Sequence, residues 1–247
     1  MHVLIIGASG GIGLEFVRAL LQDDSTHLIY GTYRSIDGAV DLLSLEQKYP
    51  EQLHSLVMDI TQESQICKVV DQLHQDIQSL DLVINCVGIL HEGAVQPEKS
   101  LTQINPDHLL HYFEVNSVGS ILLAKHLLPL FKHGNRSLFA TLSAKIGSIS
   151  DNYLGGWYGY RASKAALNML MRTAAIEYRR KSPNTIIVLL HPGTTDTLLS
   201  QPFQRNVPPD NLFSVERTVK QLLTVLEHVT PEDSGQFFSW DGSRLPW

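Results

Sequence analysis

A glycine-rich segment between an apolar run and a helical pattern constrains the fold of this chain more than any other feature. The run at 3–6 (VLII) is typical of a strand that is buried on both faces of a parallel sheet. It is followed by the segment 7–13 (GASGGIG), and then by apolar residues at helical spacing over 14–21. Glycines at such a turn let the backbone approach a pyrophosphate, and the helix N-terminus offers free N–H groups. The segment therefore predicts a dinucleotide site, and the alternative is a glycine-rich loop that binds no ligand.

Apolar runs and helical patterns alternate along the rest of the chain. Further strands are expected at 27–33, 53–58, 82–84, 137–142, 185–190 and 235–240. Helices are expected at 38–48, 62–78, 106–131, from about 160 onward, and at about 214–229. This alternation predicts a single α/β domain over residues 1–247, a Rossmann-type, doubly wound, seven-stranded parallel sheet with helices on both faces. Ligands of such sheets bind beyond the carboxyl ends of the strands.

Composition restricts the partners and the location of the protein. The net charge of the 247 residues is −6 and the basic residues are scattered, which argues against nucleic acid and membrane surfaces as partners. The 11 histidines show no ligand spacing, so no metal site is expected. The 2 cysteines lie far apart, which predicts free thiols in a reducing compartment. With neither a signal-peptide pattern nor a long apolar segment, a cytoplasmic protein is expected.

A tyrosine and a lysine four residues apart, Tyr160 and Lys164, form the first candidate for chemistry. On a helix the two side chains share one face. A phenol has a pKa of about 10, and an adjacent ammonium lowers the pKa of the phenol. The pair is therefore suited to passing a proton to or from a substrate oxygen. The spacing also occurs on solvated helix faces, so it gains weight only from a hydride carrier beside it.

The order and separation of several motifs identify a family. They are the glycine pattern GxxxGxG at Gly7, Gly11 and Gly13, the stretch Asn85 to Gly88, Asn116, Tyr160-x-x-x-Lys164, and Pro192-Gly193. Together they resemble the short-chain dehydrogenase/reductase family over essentially the whole chain. The segments 147–149 (GSI), 155–158 (GGWY), 160–164 (YRASK) and 245–247 (LPW) are similar to its C-factor and sniffer carbonyl reductase branch. The family usually has Thr where this chain has Ile6.

The resemblance implies a nicotinamide cofactor. The residues implied in binding are Gly7, Ser9, Gly11, Ile12, Gly13, Arg34, Asp59, Ile60, Asn85, Gly88, Tyr160, Lys164, Pro192, Gly193, Thr195 and Thr197. Asp59 would bond the adenine amino group, and it is also a candidate N-cap for the helix that follows. Arg34, just past the second strand, is placed to accommodate a 2′-phosphate, so NADP(H) is preferred over NAD(H). The alternative is a solvated arginine in a loop, and a point against NADP(H) is that Gly10 stands where NADP-using relatives often have a second basic residue.

Four residues are expected to be catalytic: Asn116, Ser143, Tyr160 and Lys164. Asn116 lies in an apolar helical pattern, where the alternative is a core amide with satisfied hydrogen bonds. The family's substrate-orienting serine would fall on Ala144 here. Ser143 is favoured as its replacement, with Ser148 as the second choice, and a shift of one residue would turn a strand side chain to the other face.

The resemblance implies an NAD(P)(H)-dependent oxidoreductase that transfers hydride between nicotinamide and a small carbonyl or alcohol substrate. Reduction of a carbonyl by NADPH is the favoured direction. The polar loop 89–104 is expected to border the substrate, and residues 198–213 are expected to form a lid. A homodimer or homotetramer is implied by the resemblance alone. The alternative is a C-factor-like, nucleotide-binding signalling protein with vestigial catalysis, which the missing hydroxyl at Ala144 motivates.

Overall fold

The computed structural model describes residues 1–247, and its centre is one parallel sheet of seven strands. In chain order these are β1 (His2–Ile6), β2 (Leu28–Tyr33), β3 (Leu53–Val57), β4 (Leu82–Asn85), β5 (Ser137–Leu142) and β6 (Thr185–His191). A small separate parallel pair, β7 (Thr194–Thr195) and β8 (Leu212–Phe213), precedes the edge strand β9 (Gln236–Ser239). The order in the sheet is β3-β2-β1-β4-β5-β6-β9, so the winding reverses between β1 and β4. The sheet confirms the predicted fold class.

Helices cover both faces of the sheet. They are α1 (Gly11–Leu20), α2 (Val40–Lys48), α3 (Glu63–Asp76), α4 (Pro106–Phe113), α5 (Gly119–Leu127), α6 (Tyr158–Lys181) and α7 (Val215–His228). Side chains of alternate parity along the strands form two apolar layers, as expected of strands buried on both faces. One layer packs the sheet against α3, α5 and α6, and the other packs it against α1, α2 and α7.

The helix expected over 106–131 is interrupted. Between α4 and α5 the chain makes a π-helical turn, Glu114–Val118, and after α5 it ends in a short 3₁₀ helix, Leu128–Phe131. Asn116 lies at the centre of the π-helical turn. Such turns insert an extra residue into a helix and occur often at functional sites.

The expectation that Asp59 caps the following helix is wrong. The residue before α3 is Gln62, whose side chain makes no cap hydrogen bond. The Asp59 carboxylate instead accepts bonds from the Thr61 backbone N–H at 2.9 Å and the Thr61 hydroxyl at 2.7 Å. This local turn leaves Asp59 at the carboxyl end of β3, at the edge where ligands of such sheets bind.

None of the helices is long and apolar enough to span a membrane. The two cysteines, Cys67 and Cys86, are free thiols.

Candidate active site

The glycine turn after β1 leaves the start of α1 without side-chain partners. Gly7 and Gly11 have positive φ angles of 78° and 51°, which favour glycine. The N-cap residue, Gly10, offers no side-chain bond, and the first turn of α1 has no acidic residue. A Cβ on Gly13 would lie 2.1 Å from the Gly7 carbonyl oxygen, so only glycine fits there. An uncapped helix N-terminus at the carboxyl edge of the sheet is suited to binding a phosphate.

Three adjoining cavities form a continuous groove along this edge. The Arg34 cavity, of about 210 Å³, shares Gly7 and Gly88 with the glycine cavity, of about 320 Å³. The glycine cavity shares Ile12 and Tyr160 with a third cavity, of about 430 Å³, which is named the Trp157 cavity. The predicted site residues that line the groove are Gly7, Ser9, Gly11, Ile12, Gly13, Arg34, Asp59, Ile60, Gly88, Ser143, Tyr160, Lys164, Pro192, Gly193, Thr195 and Thr197.

Tyr160 and Lys164 lie in the first turns of α6 and are both buried. Lys164 Nζ donates a 3.1 Å hydrogen bond to the Leu142 carbonyl oxygen and lies 5.9 Å from the centroid of the Tyr160 ring. Burial lowers the pKa of Lys164 to about 8. Burial, with a smaller contribution from Tyr112, raises the pKa of Tyr160. The expected lowering of the phenol pKa is therefore outweighed by loss of solvent, and the phenol is a proton donor at neutral pH.

Asn116 ties three segments together. Its Oδ1 accepts a 2.7 Å hydrogen bond from the Ile89 N–H, and its Nδ2 donates to the Ile89 carbonyl and to the Ser163 hydroxyl, both at 3.0 Å. The amide is thus satisfied, as the core interpretation expected. A Cβ on Gly88 would lie 3.0 Å from Lys164 Nζ and 3.2 Å from Asn116 Oδ1. The absence of a side chain on Gly88 therefore lets the loop after β4 lie against this pair.

The two serine candidates do not face Tyr160 with free hydroxyls. Ser143 is buried, lines the groove and donates a 2.6 Å hydrogen bond to Asn168 Oδ1. Ser148 is buried outside the groove. Ala144, which lies between the two serines, packs against the apolar cluster that contains Tyr160 and lines the Trp157 cavity. At this point of the groove the wall presents a methyl group instead of the expected hydroxyl.

Asn85 and the segment after β6 shape the groove in different ways. The Asn85 Nδ2 donates to the Ser120 hydroxyl at 2.8 Å, and its Oδ1 accepts from the Val87 N–H at 3.1 Å. Asn85 is fully buried and does not line the groove, so it shapes the turn that leads to Gly88. Gly193 has a φ of 75°, and Thr195 bonds the Thr218 hydroxyl at 2.8 Å, which fixes the wall after β6.

Comparison with known proteins decides the family. A family model described as short chain dehydrogenase matches residues 1–208. The chain belongs to the short-chain dehydrogenase family. It is therefore an oxidoreductase that acts on alcohol and carbonyl groups with NAD(P).

Individual relatives confirm the expected branch of this family. The C-signal protein of Myxococcus xanthus is 34% identical over 168 residues, which are 68% of this chain and 93% of that protein. The structure of an NADPH-bound carbonyl reductase from chicken fatty liver has a TM-score of 0.89 at 28% identity, covering 100% of this chain and 98% of the other. Carbonyl reductase Sniffer of D. melanogaster has a TM-score of 0.88 at 26% identity, covering 100% and 99%.

The groove of this short-chain dehydrogenase fits a nicotinamide dinucleotide. A Cβ on Gly10 would meet no atom within 4 Å, so there is open space beside the uncapped start of α1. Gly88 and Lys164 both line the middle of the groove, where the loop after β4 lies against the Lys164 side chain. Asp59 and Arg34 line one end of the groove, and the segment after β6 lines the other.

The sequence did not predict the aromatic lining of the Trp157 cavity. Trp157 is the one non-glycine residue with a positive φ, 54°, and its indole centroid lies 5.0 Å from the Phe203 ring and 6.3 Å from the Tyr160 ring. Its strained backbone is held by a 2.5 Å hydrogen bond from its N–H to the Glu98 carbonyl oxygen. The buried Glu98 carboxylate also accepts from the Gly159 N–H at 3.1 Å. Backbone strain of this kind concentrates at functional sites.

A half-buried histidine in the same cavity was also not predicted. His191 ends β6 and lines the Trp157 cavity, and its Nδ1 has no hydrogen-bond partner. Burial, with the nearby Lys145 charge, lowers the pKa of His191 to about 4, so the imidazole is neutral at physiological pH. Its position directly before Pro192-Gly193 was the available sequence signal.

The loop 89–104 contacts both ends of the groove. His91 packs against Phe203 with ring centroids 5.8 Å apart, as expected of a loop that borders the substrate. Glu92 instead lies at the opposite end, where its Oε1 accepts a 2.8 Å hydrogen bond from Arg34 Nη2. The arginine that was expected to meet a 2′-phosphate is thus engaged by a carboxylate.

Proposed function

We propose that this short-chain dehydrogenase reduces a small carbonyl compound with NADPH. The observation that carries the proposal is the continuous groove, which joins the glycine turn to Tyr160 and Lys164 and then to an apolar cavity. The chemistry that a bound nicotinamide supplies there is hydride transfer to the carbonyl carbon. The protein residues supply binding, orientation and the proton.

The proposed cofactor contacts follow the groove from end to end. The glycine turn with Ser9 and Ile12, and the start of α1, hold the pyrophosphate; Asp59 and Ile60 hold the adenine; and Arg34 holds the 2′-phosphate. Asn85 acts indirectly, by shaping the turn to Gly88. Lys164 holds the nicotinamide ribose, and the segment with Pro192, Gly193, Thr195 and Thr197 holds the carboxamide.

Tyr160 is the proposed proton donor to the substrate oxygen. Because burial raises the pKa of Tyr160, the hydroxyl is protonated at neutral pH and has a proton to give. The Lys164 ammonium stabilises the phenolate that forms. Asn116 forms hydrogen bonds with the loop beside Gly88 and with α6, and so holds these two elements together behind Tyr160 and Lys164.

Ser143 is the proposed donor to the substrate carbonyl, and this role requires a change at Asn168. While Ser143 donates to Asn168 Oδ1 it has no proton to offer the substrate. The Asn168 Nδ2 is buried and has no partner. Rotation of the amide would place this N–H₂ against the Ser143 oxygen and release the serine proton toward the groove.

The lining of the Trp157 cavity supports a substrate with a flat apolar group. Trp157 and Phe203 form an aromatic corner, and Leu90, Ile146 and Leu199 extend it. An aromatic ketone, an aromatic aldehyde or a quinone would place its ring in this corner and its carbonyl oxygen toward Tyr160.

The test is turnover. The purified protein is mixed with NADPH and a panel of aromatic ketones, aldehydes and quinones, and the loss of NADPH absorbance is followed. We expect turnover that Tyr160→Phe lowers by about 100-fold or more, the contribution typical of general acid catalysis, while NADPH still binds. Confirmed NADPH binding without turnover of any carbonyl would overturn the proposal.

The similarity to C-signal and the methyl group at Ala144 favour a second candidate, a nucleotide-dependent signalling protein. The two functions separate by complementation in the cell of origin. Gly13→Val places a side chain against the Gly7 carbonyl oxygen and removes the dinucleotide site, whereas Tyr160→Phe removes only the proton donor. A signalling role survives Tyr160→Phe and is lost in Gly13→Val, and an enzymatic role is lost in both.

We also propose a homodimer or homotetramer. The outer faces of the α4–α5 unit and of α6 expose apolar side chains: Leu110 at 68%, Val118 at 44%, Met169 at 66% and Ile176 at 50%. Light scattering coupled to size exclusion distinguishes these assemblies from a monomer.

A further inference from the structure

A carboxylate occupies Arg34 at the end of the groove where the 2′-phosphate of NADP(H) would lie. Arg34 follows β2 and Glu92 follows β4, so the fold brings them together across 58 positions of sequence. The bond between Arg34 Nη2 and Glu92 Oε1 is 2.8 Å long. An incoming 2′-phosphate would need the donors that Glu92 now uses.

The Glu92 carboxylate is held in position. The Glu92 N–H and carbonyl form a pair of backbone hydrogen bonds with Val95, of 3.0 and 2.9 Å, around Gly93, whose φ is 56°. The second carboxylate oxygen lies 2.9 Å from His111 Nε2 on α4. The backbone of Glu92 lies in a tight turn and both of its carboxylate oxygens have partners. Glu92 is therefore a fixed part of the wall of the Arg34 cavity.

The two carboxylates that line the Arg34 cavity oppose the binding of a phosphorylated ribose. Arg34 is its one basic side chain, and it faces two carboxylates, Asp59 and Glu92. A phosphate monoester brings a charge of about −1.5 to −2 into this lining. Like charges at short range disfavour binding, and a paired arginine attracts an anion less than a free one.

The strength of the ion pair decides whether Glu92 prevents the binding of a 2′-phosphate to Arg34 or only weakens it. The Arg34 side chain is 61% exposed and the Glu92 side chain 35% exposed. Ion pairs with this much solvent contact are worth little, about 0–1 kcal/mol. A 2′-phosphate can therefore displace Glu92 from Arg34, at the cost of that interaction.

We propose that Glu92 is a specificity-determining residue for the cofactor: its carboxylate competes with the 2′-phosphate for Arg34 and narrows the preference for NADP(H) over NAD(H). This inference rests on the proposed dinucleotide function of the groove. It concerns a residue outside the glycine turn and outside β2, the two places from which the sequence predicted the cofactor preference.

The test measures binding without turnover. Isothermal titration of wild type and Glu92→Gln with adenosine 2′,5′-bisphosphate and with 5′-AMP isolates the contribution of the 2′-phosphate. We expect Glu92→Gln to bind the bisphosphate about fivefold more tightly, the size of one surface ion pair, and to bind 5′-AMP as the wild type does. The same difference is expected for the complete cofactors: Glu92→Gln should bind NADPH more tightly than the wild type does and should bind NADH equally. Nucleotide fluorescence measures both affinities.

Two further variants keep the test specific. Glu177→Gln removes a carboxylate that pairs with Lys181 at the other end of α6, and it should leave both nucleotide affinities unchanged. In an Arg34→Gln background, Glu92→Gln should no longer sharpen the distinction between bisphosphate and 5′-AMP, because the competition acts through Arg34.

The outcomes separate this inference from the proposed function. Unchanged or weaker bisphosphate binding in Glu92→Gln, or an equal gain for 5′-AMP, overturns the role of Glu92 and leaves the dinucleotide groove standing. If neither NADPH nor NADH binds the folded wild type or Glu92→Gln, the proposed function fails, and the inference fails with it.

Discussion

The Ser143 hydroxyl donates its proton to Asn168 Oδ1 across 2.6 Å, and Asn168 lies four residues beyond Lys164 on the same helix. The expected substrate donor and helix α6, which carries Tyr160 and Lys164, are therefore linked by one buried hydrogen bond. Whether Ser143 serves the substrate depends on which side of the Asn168 amide faces it.

This link predicts the effect of Asn168→Asp. An ionised carboxylate only accepts hydrogen bonds, so it holds the Ser143 proton in every orientation. We expect kcat to fall about tenfold, the upper range for one neutral hydrogen bond, and to match that of Ser143→Ala. Combining Asn168→Asp with Ser143→Ala should lower kcat no further than either substitution alone. Circular dichroism checks the fold, and the exposed Asn135→Asp is the matched control. Unchanged kcat in both single variants would remove Ser143 from the mechanism.

A hydroxyl at position 144 should improve the site. Ala144 packs against the cluster that contains Tyr160 and lines the same cavity, so Ala144→Ser adds a hydrogen-bond donor to the cavity wall at little steric cost. We expect kcat/KM for the same carbonyl to rise up to about tenfold, with the dissociation constant of NADPH unchanged. Steady-state kinetics measures the first quantity and fluorescence titration the second. A fall in kcat/KM would show that the methyl group is needed to shape the cavity.

Lys164 should cost the protein stability below pH 8. Burial lowers the pKa of Lys164 from 10.5 to about 8, so between these pH values the unfolded chain binds more protons than the folded one. Stability therefore rises with pH over that interval, and the penalty for a buried ammonium is complete below pH 8. We expect Lys164→Met to raise the free energy of unfolding by on the order of 2 kcal/mol at pH 7 and to abolish turnover. The gain should shrink toward pH 10 in urea titrations; a gain that is independent of pH would contradict this explanation.

The buried Glu98 should be a stabilising anchor for α6. Its carboxylate accepts from the Gly159 N–H in the first turn, and its carbonyl holds the strained Trp157. Glu98→Ala leaves the Gly159 N–H without its partner, and we expect a loss of about 1–2 kcal/mol in the free energy of unfolding. We also expect a lower kcat, since Tyr160 lies one residue further along. Glu63→Ala, at an exposed position at the start of α3, should change unfolding much less.

The alternation of strands and helices was readable because each buried strand is a continuous apolar run between turn residues. The glycine turn and the shared helix face of Tyr160 and Lys164 could be predicted from the sequence, because both depend only on residues close together in the chain. Contacts between distant loops could not, since Arg34 and Glu92, or Trp157 and Phe203, meet only when β2, β4 and α6 are in place. The π-helical turn leaves no pattern, because Asn116 is held by tertiary hydrogen bonds to Ile89 and Ser163.

The proposed contacts with the nucleotide and the proposed contacts with the substrate lie on opposite sides of the sheet. Arg34 and Asp59 stand at the ends of β2 and β3, whereas Trp157 and Phe203 lie beyond β5 and β6. Energetic effects of substitutions at such distant sites usually add. Substitutions at Trp157 or Phe203 should therefore act independently of substitutions at Arg34 or Asp59, whereas the loop 89–104 contacts both ends, through His91 and Glu92, and couples them. A designer, or natural selection, can alter one end without re-optimising the other as long as this shared loop is kept.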